Sequence, residues 1–98
     1  MTLSTLSTEY VRITAATRAA GSVITPAAPP RFAFLTTASS PSEEDWLLGE
    51  WADRWARILI GPDGGATTLE PGEYQVWLSW SAGAETPVYR CPGSLRVY

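Results

Sequence analysis

The stretch "EPGEYQVWLSW", residues 70–80, constrains this chain more than any other. A Pro-Gly pair ends one segment. Then Tyr74, Val76, Leu78 and Trp80 alternate with Gln75, Trp77 and Ser79. Successive side chains on a strand point to opposite faces, so this pattern predicts an extended strand over 73–80 with one strongly apolar face. It also sets a puzzle, because the alternation gives Trp77 and Trp80 to opposite faces. One sheet-on-sheet core needs one of them. Trp80 is assigned to the fold and Trp77 to a neighbour.

The remainder of the chain repeats the same grammar. "EYVRITA" (9–15) sets Val11, Ile13 and Ala15 against Tyr10, Arg12 and Thr14. "GSVIT" (21–25) is short and stops at Pro26, as an edge strand or strand end does. "AAPPRFAFLTT" puts Phe32, Phe34 and Thr36 on one face. In "DWLLGEWADRWARILIGP" (45–62), Leu47, Trp51 and Trp55 recur every fourth residue, the spacing of an amphipathic helix. Gly49 in its middle and the β-branched Ile58 and Ile60 oppose that reading. Two strands are expected instead, 45–51 and 55–60, joined by a tight Ala52-Asp53-Arg54 turn, with room for a single helical turn near Glu43. "GPDGG" (61–65) is a turn, with Gly supplying positive φ, and no helix follows that would make it a phosphate cradle. The last strand, "VYRCPGSLRVY", is interrupted at Pro92-Gly93, which marks a bulge or a step between sheets. Turn signals about every ten residues predict an all-β, two-sheet antiparallel sandwich of about seven short strands.

Ninety-eight residues make one domain, 1–98, preceded within it by a polar Ser/Thr-rich arm, 1–8, expected to dock on its own sheet or on a neighbour. With 45% apolar and 17% charged residues the chain can build a core without metal or disulfide. A net charge of −3 argues against a nucleic-acid partner. No apolar run reaches the roughly 18 residues of a membrane span, and "MTLSTLSTEY" lacks the basic and apolar regions of a signal peptide.

Catalytic chemistry finds little material. There is no histidine and no lysine, which removes the commonest general base, Schiff-base chemistry and the usual zinc ligands. Cys91 is the sole cysteine and reads as a packed apolar residue. The run Glu43-Glu44-Asp45 lacks the alternate spacing of a calcium loop and reads as a solvated face. The expectation is a non-enzyme with no catalytic residue, no metal and no cofactor.

Five tryptophans are the positive signal, more than a core this small requires. Trp80 and Trp55 are expected in the sandwich centre. Trp46, Trp51 and Trp77, with Arg54, are the candidate protein-interface residues, since Trp and Arg dominate binding hot spots. The other reading of spare indoles is a glycan-stacking platform, which the scarcity of Asn, Gln and His disfavours.

The closing segment "LEPGEYQVWLSWSAGAETPVYRCPGSLRV" resembles the final hairpin of small immunoglobulin-like proteins encoded among the head and tail genes of tailed bacteriophages. The residues that carry the resemblance are the strand and Gly-Pro turn of Ala56 to Gly65, the turn from Leu69 to Tyr74, Glu85 and Pro87 in the following loop, and Leu95 with Val97. "EYVRITA" and the pair Trp46 and Trp51 also fit, so the similarity covers most of the chain. It departs in the short turn at 52–54 and in the break at Cys91-Pro92. Pro71-Gly72 before Tyr74 resembles a tyrosine corner, in which the hydroxyl bonds back to the preceding turn. The resemblance implies an immunoglobulin-like sandwich and a non-catalytic virion protein, made in the host cytoplasm. Such a protein binds capsid or head–tail connector proteins in many symmetric copies, as a decoration or neck component. The alternative is a glycan- or cell-surface-binding module carried on the particle.

Overall fold

The computed structural model describes residues 2–14, 17–19, 22–24, 28–36, 39–52, 55–81, 86–91 and 93–98. Its strands are β1 Thr2–Leu3, β2 Glu9–Thr14, β3 Thr17–Ala19, β4 Ser22–Ile24, β5 Arg31–Leu35, β6 Leu47–Leu48, β7 Glu50–Ala52, β8 Trp55–Ile60, β9 Gly72–Ser79, β10 Val88–Arg90 and β11 Leu95–Val97. A 3-10 turn spans Glu43–Asp45. One sheet has six strands in the order β1-β11-β9-β5-β6, with β10 also on β9, and a second has three, β2-β8-β7. β3 and β4 pair as a separate two-stranded ribbon. The protein is an all-β sandwich, and its pairs are antiparallel except β1 beside β11 and the Ile60–Thr67 bridge.

The core follows from the alternation. Tyr74, Val76 and Leu78 of β9 are buried, and Phe32 on β5 and Leu95 and Val97 on β11 join them. Val11 of β2 and Ala56, Ile58 and Ile60 of β8 close the cluster from the other sheet. Each Val, Leu, Ile and Phe among them contributes about 1.5–3 kcal/mol on leaving water.

Among the described residues eleven segments stand where about seven strands were expected: two predicted strands are split, into β6 and β7 and into β10 and β11, and β1 in the arm and β3 are additional. The clearest split is at Gly49. β6 pairs with β5 in the first sheet, whereas β7 pairs with β8 in the second, so the chain changes sheets between Leu48 and Glu50. A Cβ at Gly49 would lie 2.6 Å from the Arg57 carbonyl oxygen and 2.7 Å from the Phe32 ring. Only a glycine lets the backbone pass that close. The helical turn near Glu43 is present as the 3-10 turn. The Asp45 carboxylate accepts the Ser42 N–H at 2.8 Å and the Ser42 hydroxyl at 2.9 Å, which closes the turn.

The C-terminal strand is broken by a bulge within one sheet. Both halves lie on β9: Arg90 opposes Trp77 and Leu95 opposes Tyr74. Only Gln75 and Val76 of β9 lie between these two pairs, fewer than the residues between Arg90 and Leu95, and the Cys91 N–H bridges to the Val76 carbonyl at 2.8 Å. The N-terminal arm docks on its own sheet. Leu3 is buried, the Tyr98 N–H donates to the Leu3 carbonyl at 3.0 Å, and the Thr5 N–H donates to the Tyr98 carbonyl at 2.7 Å. Farther along the arm, the Thr8 hydroxyl accepts the Asp63 N–H at 3.0 Å and ties down the 61–65 turn, where Gly64 has the positive φ expected.

The tyrosine corner is also present: the buried Tyr74 donates its hydroxyl to the Glu70 carbonyl at 2.7 Å. Tyr74→Phe keeps the ring and leaves that carbonyl without the bond. We expect a loss of about 1 kcal/mol in urea unfolding with an unchanged m-value. A change near zero would mean that the corner does not hold the turn.

Candidate interaction surface

Residues directly opposite in a ladder share a face, so the registers define the outer layer of the six-stranded sheet. One row runs Val88–Ser79–Arg31–Leu48 across β10, β9, β5 and β6. The next runs Arg90–Trp77–Ala33, and Gln75 beside Leu35 follows. Trp46, one residue before β6, joins this layer through Arg31, whose guanidinium lies 5.1 Å from the Trp46 ring centroid. A cation over an indole face is worth about 0.5–1 kcal/mol at an exposed site. Arg31 also lies 3.9 Å from the exposed Glu43 carboxylate, a contact too exposed to contribute much.

This outer layer is packed, yet incomplete. Ala33 at its centre is fully buried, so larger neighbours cover the bare sheet. At the two ends of the first row Leu48 is 68% and Val88 49% exposed. Between them, the Ser79 hydroxyl and the Trp77 indole N–H are buried without a hydrogen-bond partner. An unpaired buried polar group costs about 1–3 kcal/mol.

The five indoles thus divide differently from expectation. Trp77 lies on the outer face and Trp80 is 6% exposed in the core, as the alternation predicts. Trp55 was expected in the centre but is 46% exposed. The inward parity of β8 belongs to Ala56, Ile58 and Ile60, which turns Trp55 outward. Its place is taken by Trp51, which does not join the outer face. Trp51 opposes the small Ala56, meets Trp80 edge-on at 6.1 Å, and donates its indole N–H to the Ala28 carbonyl at 2.9 Å. Arg54, the fourth candidate, lies outside the described residues.

No protein-family model, no curated protein and no solved structure matches this chain significantly. The surface must therefore be read from its own chemistry. Trp46 and Trp77 share a face with Arg31, Leu48 and Val88, three residues that the sequence reading missed. Their signal was present for Arg31. In "RFAFL" the buried parity of Phe32 turns Arg31 and Ala33 to the opposite side. Cys91 sits half-buried at the bulge, where burial raises its thiol above the ordinary value and holds it protonated.

Proposed function

We propose that this protein is a non-catalytic structural subunit of a tailed-phage virion, an immunoglobulin-like domain that docks on capsid or head–tail connector proteins. The strand order supports the immunoglobulin-like part. β9 sits between β5 and the β10–β11 pair as strand F sits between C and G, and β8 sits between β2 and β7 as E sits between B and D. The tyrosine corner at the start of β9 supports it too.

The observation that carries the docking reading is the outer layer of the larger sheet. Trp46 and Trp77 flank Arg31 there, while Leu48 and Val88 remain exposed at the rim. Indoles and a guanidinium surrounded by apolar side chains make the composition of a protein-binding hot spot. A glycan platform fits less well, since the Arg31 guanidinium occupies a face of Trp46 and the rim offers Leu48 and Val88 in place of polar groups.

The test is co-sedimentation of the purified domain with particles lacking it. Wild-type protein is expected to bind at a stoichiometry matching a symmetric set of sites. Leu48→Glu and Val88→Glu, both on exposed positions, are expected to fold normally and to bind at least tenfold more weakly. Equal binding by these variants would remove the outer layer from the interface.

A further inference from the structure

A second surface lies on the other sheet, and it concerns an edge rather than a face. The larger sheet is five strands wide and is covered by a sheet only three strands wide. The consequence shows at β10. Tyr89 opposes Leu78 and so points inward, yet it is 55% exposed. A groove of about 160 Å³ opens between β2 and the residues around Cys91, Gly93 and Ser94, with Val11, Ile13, Val76, Cys91 and Leu95 along its walls. Ile13 and Cys91, both partly exposed, are reachable there from outside.

The rim of this groove is β2, whose six residues pair with β8 on one side. On the other side, no main-chain bond to another segment is made among the described residues. In an antiparallel pair every second residue turns its N–H and C=O away from the partner, so β2 presents a row of donors and acceptors that pair with no other strand among the described residues. Edges are ordinarily kept short to prevent pairing with other chains. β1, β6, β7 and β10 obey that rule with two or three residues each, and β2 does not.

Charge specifies what would pair there. On the outer side of β2, Arg12 stands directly opposite Arg57, and both guanidiniums lie over the Tyr10 ring, at 5.6 and 4.2 Å. Arg57 has its carboxylate, Glu50 at 2.8 Å, whereas Arg12 has none within 4.0 Å among the described residues. Glu9, at the start of β2, falls on the opposite parity from Arg12.

We infer that the free edge of β2 is an acceptor site for an extended segment of a partner protein, apolar toward Val11 and Ile13 and acidic opposite Arg12. Such a segment adds a fourth strand to the smaller sheet, seats its apolar side chains in the groove and supplies the missing carboxylate. Main-chain bonds give the affinity, and the alternate side chains give the selectivity. The inference does not depend on the virion reading, since it uses neither the outer tryptophan layer nor particles.

The probe is a synthetic peptide of about eight residues alternating Val and Glu, with a Val/Lys counterpart, added to the full-length protein. Amide hydrogen exchange and NMR shifts are followed. The Val/Glu peptide is expected to slow exchange at alternate amides of β2 and to shift Val11, Ile13, Cys91 and Leu95. Arg12→Glu, on an exposed position, should weaken that peptide about fivefold and favour the Val/Lys peptide instead. Protection confined to other strands, or affinities indifferent to Arg12→Glu, overturns the inference. Concentration-dependent self-association abolished by Arg12→Glu overturns it as well, because β2 would then pair with its own copy.

Discussion

Trp80→Ala is expected to cost about 3–5 kcal/mol of folding stability, a large share of the roughly 5–15 kcal/mol that holds a domain folded. The indole is 6% exposed. It holds Trp51 edge-on at 6.1 Å and is stacked under Tyr89 at 5.4 Å, so its loss empties the end of the core where the two sheets meet. Neighbours anchored in separate sheets cannot collapse fully into the space. Trp77→Ala, three residues earlier, is expected to behave otherwise. Trp77 lies outside the sandwich core, and its N–H makes no bond to lose. Its removal should cost about 1–2 kcal/mol and weaken particle binding by 2 kcal/mol or more, about thirtyfold. Urea unfolding and co-sedimentation of the two variants give the comparison. If Trp77→Ala unfolds the isolated domain as severely as Trp80→Ala, the division between a folding indole and a docking indole is wrong.

Gly49→Ala is the second large effect, expected at about 3 kcal/mol, the upper end for overpacking. The added methyl meets a backbone carbonyl at 2.6 Å and the Phe32 ring at 2.7 and 2.9 Å. The ring is fully buried and the carbonyl belongs to β8, so neither can retreat cheaply. The Gly49 N–H is also bonded to the Pro30 carbonyl at 2.8 Å, which prevents the chain from simply swinging outward. Thermal unfolding measures the effect. Gly64→Ala, where a Cβ meets nothing within 4 Å, serves as the control for a glycine constrained by its φ of 82° alone. Equal losses at the two positions would mean that close approach between the sheets is not what demands Gly49.

Much of the architecture was legible because alternation and turn chemistry act over a few residues. The strand beginning at "GEYQVWLS", the inward Val11 and Phe32, the turn at 61–65 and the tyrosine corner all follow from patterns a dozen residues long or less. The helical spacing of Leu47, Trp51 and Trp55 was the misleading signal. It arises because a strand that changes sheets at Gly49 and then reverses direction restarts its alternation, so the three residues do not share a face. The candidate site was half legible. Trp77 followed from parity within one strand, but the placement of Trp51 required knowing that Ala56 would stand opposite it.

From the chain alone come an all-β sandwich, the inward faces of its longest strands, and the assignment of Trp77 and Trp80 to opposite faces. Tertiary structure decided which indoles pack inward, where the chain crosses between sheets, and that β2 pairs on one side only among the described residues. The physical reason is range. Backbone preference and side-chain alternation are properties of neighbours in sequence, whereas the width of one sheet relative to the other, and the room beside Ala56, arise only when residues far apart in the chain compete for the same space.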